Sequence, residues 1–184
     1  MKLALSGAHG TGKTTLINAV YDELQSTRKI EVCREVPRVI GEVVGDKEYF
    51  RRGNNSELRQ STIFLYQVME DFFVQSRAEI LLSDRTMVDH LAYTEILFPE
   101  FAGTSEYSVL SGAVQRWLST YDHVIKVPIE FQVEDDGTRE ADLGFQREID
   151  TKIDELYAGF GISPLLVTGT VSDRTSQVLA VIAD

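Results

Sequence analysis

Residues 7–14, Gly-Ala-His-Gly-Thr-Gly-Lys-Thr, constrain this chain more than any other stretch. Gly7, Gly12, Lys13 and Thr14 satisfy the spacing G-x-x-x-x-G-K-[ST]. An apolar run from Met1 to Ser6 precedes them and reads as a strand; Thr15 to Gln25 follows and reads as a helix. Glycines let the backbone turn tightly and aim its N–H groups at one point, and the helix N-terminus adds partial positive charge there. The loop Gly7, Ala8, His9, Gly10, Thr11, Gly12, Lys13, Thr14 and Thr15 is therefore expected to wrap a nucleotide polyphosphate. Lys13 would reach the β- and γ-phosphates, and the Thr14 hydroxyl would hold Mg²⁺.

Strand and helix patterns alternate along the rest of the chain. Strands are predicted at 30–34, 79–83, 123–128 and 164–168, with helices at about 37–44, 56–77, 87–98, 105–120, 145–160 and 172–183. In the long second of these, Leu58, Thr62, Leu65, Met69 and Phe72 recur at helical spacing and mark an apolar face. Pro99 is expected to stop a helix and Gly161 to terminate another. The pattern predicts an α/β fold: a doubly wound five-stranded parallel sheet with helices on both faces, as one domain over residues 1–184. Ligands bind such sheets at the carboxyl ends of the strands.

Those strand ends carry the candidate chemistry. After the second strand, Glu35 is placed to take a proton from an acceptor hydroxyl, and Arg38 to grip a phosphate or carboxylate. After the third come Asp84 and Arg85; the acid is placed to hold Mg²⁺ with Thr14, the arginine to fork onto a phosphoryl group. Asp89 lies in the next helix, with a capping or a substrate role. Residues 129–147 alternate acids and arginines between bendable glycines and read as a lid, with Arg139 and then Arg147 as candidates to close over the γ-phosphate. His9 reads as a spacer; His90 and His123 have no metal-ligand spacing. Trp117 and Cys33 read as packing residues.

The net charge of −11 disfavours broad contact with nucleic acid or membrane surfaces. A single cysteine allows no internal disulfide, no apolar run reaches membrane-spanning length, and no signal-peptide layout is present, so a cytoplasmic protein is expected. Oligomeric state is not set by any of these features.

The chain resembles P-loop nucleoside and nucleotide kinases of the thymidylate-kinase-like group. It looks closest to small AAA-type ATPase/kinase domains similar to the bacterial nicotinamide-riboside kinase domain. The resemblance rests on the loop 7–14, Arg34-Glu-Val-Pro-Arg38, Asp84-Arg-Thr-Met-Val-Asp89 with Tyr93, Asp136-Gly-Thr-Arg139 with Asp142 and Phe145, and Gly169-Thr-Val-Ser-Asp-Arg174. It implies that Glu35 or Asp84 orients the acceptor hydroxyl, that Arg85 contacts substrate, that Arg174 lies against the adenine, and that Gln67 reads a base. Glu-Val-Pro-Arg departs from the Arg-Glu-Pro-Gly of thymidylate kinases, which argues against thymidylate. The expectation is ATP- and Mg²⁺-dependent phosphoryl transfer to a nucleoside-like small molecule. The alternatives are a kinase for a modified base such as hydroxymethyluracil in DNA, for which Arg51 and Arg52 could meet the backbone, and a non-kinase ATPase or switch.

Overall fold

The computed structural model describes the backbone of residues 1–45, 57–130 and 143–183, with side chains from Gln60 onward in the second stretch. The elements are β1 (Lys2–Ser6), α1 (Lys13–Leu24), β2 (Ile30–Cys33), α2 (Val36–Val44), α3 (Glu57–Gln75), β3 (Ile80–Asp84), α4 (Met87–Leu97), α5 (Pro99–Ala102), α6 (Ser105–Leu118), β4 (His123–Lys126), α7 (Leu143–Gly159), β5 (Leu165–Leu166) and α8 (Val171–Ala183). The strands form one five-stranded parallel sheet in the order β2-β3-β1-β4-β5, the fold class expected. Pro99 does end α4, but its fixed φ then starts the short α5, which the sequence reading did not foresee.

This order fixes where a ligand can sit. The chain leaves β1 toward β2 and β3 on one side and later returns to β4 and β5 on the other. The crossovers diverge at the carboxyl end of β1 and open a crevice there. β1 is buried along its whole length. Leu3 and Leu5 face α1 and α8, packing with Leu16, Ile17, Val20, Val178 and Ile182. Ala4 faces the other layer, with Val88 and Leu91 of α4, Val114 of α6 and Ile149 and Ile153 of α7. A strand covered on both faces needs a continuous apolar run, which is what residues 2–6 supply apart from Lys2 and Ser6.

Helix α3 corrects the sequence reading. Leu65, Met69 and Phe72, the face marked by apolar spacing, are more than half exposed, at 60%, 57% and 62%. The inward face instead carries Gln60, Ile63, Gln67, Asp71 and Val74. Polar groups can occupy it because they meet partners from β1, β3 and α6. Asp71 pairs with the fully buried Lys2 ammonium at 3.3 Å, and its carboxylate also accepts from the Trp117 indole, the Tyr121 hydroxyl and the Ser83 hydroxyl. Lys2 lies 4.2 and 4.0 Å from the Trp117 and Tyr121 ring centres. Burial lowers its pKa, and Asp71 opposes that shift.

Removing one partner of such a pair leaves an uncompensated charge in the core. Asp71→Ala is expected to cost about 3–5 kcal/mol in urea unfolding, and Lys2→Met in the same chain to recover a large part of it. Equal stability of wild type and Asp71→Ala would contradict this account of the core.

Candidate active site

The phosphate loop connects β1 to α1 and is tied at both ends. Gly7 has φ +148°, and a Cβ there would lie 2.4 Å from the Val127 carbonyl oxygen, so only glycine fits. Its N–H donates to Asp89 Oδ1 at 2.7 Å. The other carboxylate oxygen of Asp89 accepts from the Thr86 N–H and hydroxyl, both at 2.8 Å, in a capping box that starts α4. Asp89 thus has the capping role, and it also holds the loop, a link of 82 positions that spacing alone does not show. Lys13 folds back into the loop and donates to the Gly7 carbonyl at 2.8 Å and to the Ala8 carbonyl. Burial, and then the nearby Arg85 charge, lower its pKa to about 8. Thr14 donates to Asp84 Oδ2 at 2.7 Å, bringing together the two residues expected at a metal. A hydroxyl and a carboxylate are hard oxygen donors of the kind Mg²⁺ takes, usually one or two carboxylates completed by phosphate and water.

Glu35 and Arg85 form the second half of the site. Arg85 has φ +88°, the one non-glycine residue with positive φ among those described. Its Nε donates to Glu35 Oε1 at 2.8 Å, its Nη1 to the Gly7 carbonyl at 3.4 Å, and its guanidinium lies over the Tyr93 ring at 5.5 Å. The Arg85 charge holds the Glu35 carboxyl down to about 2, so Glu35 is ionised at every ordinary pH. Arg38 approaches the other Glu35 oxygen at 3.5 Å and is 46% exposed at the rim. Arg34 turns away to Glu42.

His90, in the first turn of α4, lies near enough to Arg85 and Glu35 for their charges to act on it. It is 6% exposed, and its Nε2 has no hydrogen-bond partner among the described residues. Burial, then Arg85, lower its pKa to about 4, which keeps the imidazole neutral. Metal-ligand spacing passes it over; the signal that points to it is its place in the first turn of the helix that follows the Asp84-Arg85 pair.

Two further groups border the loop. The His9 ring meets the Tyr93 hydroxyl at 2.9 Å and packs on Phe145, and Gln146 donates to the His9 carbonyl at 2.6 Å. Thus His9 is more than a spacer: it joins the loop to α4 and α7. On the other side, Gly10, Thr11, Gly12, Thr15 and Arg174 line one cavity of about 120 Å³ with Leu16 and Val171. Arg174 donates to the Thr11 carbonyl at 2.9 Å and to Glu130 at 2.6 Å, which sets its guanidinium plane at the cavity edge.

Not every expected residue joins the site. Gln67 is fully buried and donates to Asp71 and Ser83, each at 3.0 Å; its Oε1 has no partner among the described residues. Arg147 is exposed on α7, beside Gln146. Arg139, Arg51 and Arg52 lie outside the described residues, as does most of the expected lid. Cys33 is a buried packing residue, and burial raises its thiol pKa. Among the described residues no cluster of three or more His, Cys, Asp or Glu could hold a metal, and no helix is long and apolar enough to cross a membrane.

The Lys13 pKa generates a prediction. A polyphosphate in the loop restores the ammonium, so binding takes up a proton once pH exceeds about 8, and affinity falls as pH rises further. Calorimetry of ATP binding in two buffers of different ionisation enthalpy is expected to show most of a proton taken up near pH 9 and almost none near pH 6.5. Absence of uptake at both would contradict the loop geometry.

No curated protein matches the chain. Among solved structures, a deoxyadenosine kinase from M. mycoides with bound dATP aligns with a TM-score of 0.68 at 14% identity, covering 100% of both chains. A thymidylate kinase from Ehrlichia chaffeensis aligns with a TM-score of 0.66 at 12% identity, covering 99% of this chain and 98% of that one. A shikimate kinase from Acinetobacter baumannii in complex with shikimate gives 0.60 at 15% identity, covering 99% and 92%. These likenesses show a shared kinase fold. A family model described as an AAA domain matches residues 2–174, and the chain, built on a nucleotide-binding P-loop, belongs to that family.

Proposed function

We propose that the chain is an ATP- and Mg²⁺-dependent kinase that transfers a phosphoryl group to a hydroxyl or phosphate of a nucleoside-like small molecule. The observation that carries this reading is the state of Glu35. A carboxylate held at a pKa of about 2 by Arg85 stands at the end of β2, close enough to Lys13 for each charge to shift the other's titration. An ionised acid beside a phosphate loop can accept a hydrogen bond from an acceptor hydroxyl and hold it in line; held this far below neutral pH it is a weak base, so its part is alignment. The fold shared with nucleoside, nucleotide and shikimate kinases supports the same reading.

The geometry supports a set of roles. Lys13, drawn out of its carbonyl contacts, neutralises the β/γ-phosphates. Thr14 and Asp84 would hold Mg²⁺, whose charge, when bound, stabilises the phosphate oxygens. Glu35 aligns the acceptor hydroxyl as the new bond to phosphorus forms and ADP leaves, or orients a phosphate acceptor through Arg85 and Arg38. Arg174 flanks the adenine with its guanidinium plane. The neutral His90, close to Arg85 and Glu35, offers a hydrogen bond for selecting the acceptor. Arg139, which lies outside the described residues, is proposed to close over the transferring group.

Transfer from γ-labelled ATP tests the proposal. The panel comprises nucleosides, nucleoside monophosphates, nicotinamide riboside, and plain and hydroxymethyluracil-containing DNA. Label is expected on one small molecule, absent with Lys13→Ala. Glu35→Gln is expected to slow transfer by about 10² with ATP affinity retained. Label released only as inorganic phosphate would support an ATPase instead, and label on DNA alone a polynucleotide kinase; either overturns the proposal.

A further inference from the structure

Tyr93 touches both halves of the candidate site. Asp89 and Tyr93 stand four residues apart on α4 and so share one face of that helix. That face meets the phosphate loop twice. Asp89 takes the Gly7 N–H at 2.7 Å, and the Tyr93 hydroxyl is hydrogen-bonded to His9 Nδ1 at 2.9 Å. The same tyrosine ring carries the Arg85 guanidinium 5.5 Å from its centre, and Arg85 in turn donates to Glu35 at 2.8 Å. Taking the chain as the kinase proposed above, we infer that Tyr93 is a positioning residue for phosphoryl transfer. Its hydroxyl fixes the crest of the donor loop, its ring fixes Arg85 and Glu35 on the acceptor side, and together they set the separation of the two reactants.

A packing residue needs only bulk, and phenylalanine would supply it. Here the hydroxyl has a partner in the loop and the ring has a cation beside it. Burial raises the hydroxyl above the ordinary tyrosine pKa, so it keeps its proton at neutral pH. Arg85 is itself buried, and a cation over an aromatic ring is held most firmly where water is excluded. Phe145 meets the Tyr93 ring edge-on at 6.1 Å and the His9 ring at 5.9 Å, which closes a cluster of three rings. His9 is also held from the other side, where the buried Gln146 of α7 donates to its carbonyl at 2.6 Å. Contacts therefore run from Glu35 through Arg85, Tyr93 and His9 to Gln146, from the N-cap of α2 to α7. Transfer is sensitive to such a span, because a misplacement of about 1 Å can cost about 10²-fold in rate.

Two substitutions divide the hydroxyl from the ring: Tyr93→Phe removes the first and Tyr93→Leu both. Nitrogen-15 NMR of the imidazole nitrogens and of the arginine Nε–H groups reads the two ends without any acceptor, with His9→Gln and Arg85→Lys supplying the assignments. Tyr93→Phe is expected to shift the His9 Nδ1 signal and leave the Arg85 Nε–H signal in place. Tyr93→Leu is expected to shift both, with the Arg85 Nε–H exchanging with water about tenfold faster. In transfer from γ-labelled ATP, Tyr93→Phe is expected to lower kcat about tenfold with KM for ATP within about threefold, and Tyr93→Leu to lower kcat about 10²-fold. An unchanged His9 Nδ1 signal or an unchanged kcat in Tyr93→Phe overturns the inference, because a tyrosine that only packs gives that result. So does an Arg85 Nε–H signal that Tyr93→Leu leaves untouched. If Tyr93→Leu does not fold, the Tyr93→Phe readings decide. A wild type that labels no acceptor overturns the kinase reading instead, and the two NMR signals still test the link between loop and ion pair.

Discussion

The ion pair between Arg85 and Glu35 is the interaction on which the rest of the site depends. Arg85 holds a left-handed backbone that costs a branched or long side chain of order 1–3 kcal/mol. The surroundings offset that cost at each end of the residue. Its N–H donates to the Leu5 carbonyl, its own carbonyl accepts from Ser83, and its guanidinium reaches both Glu35 and the Gly7 carbonyl. One strained residue thereby joins β1, β3, the N-cap of α2 and the phosphate loop. Asp89 does the same from α4, through Gly7 and Thr86. The loop is held open for a polyphosphate by long-range contacts, while Lys13 occupies its centre through carbonyl contacts a phosphate would replace.

Behind this site lies a second polar layer. Ser83 links the Arg85 carbonyl to Asp71, and Asp71 links α3 to Lys2 at the start of β1. The network fixes which face of α3 turns inward, so the orientation of its exposed apolar face and the position of Arg85 share one cause. A helix anchored in this way can present an apolar stripe to solvent without rotating to bury it.

Much of this was legible in the sequence, for reasons that are local. The loop spacing, the glycine positions and the alternation of apolar runs with helical patterns are short-range signals, and the sheet, its helices and the Thr14–Asp84 pairing follow from them. The failures are long-range. Apolar spacing chose the wrong face of α3, because burial of Gln67 and Asp71 depends on Lys2, Trp117 and Tyr121, up to 69 positions away. The grip of Asp89 on Gly7, the clasp of Gln146 on His9 and the buried imidazole of His90 likewise arise only when distant elements meet.

The account stands on an ionised Glu35 held by Arg85. Carbon-13 NMR of glutamate carboxyl groups, with Glu35 assigned by its Glu35→Gln variant, measures this directly. The predicted result is a Glu35 carboxyl that shows no titration from neutral pH down to about 3, and that returns toward the ordinary glutamate value near 4.5 when Arg85 is replaced by glutamine. Titration of Glu35 near 4.5 in the wild-type protein would contradict it.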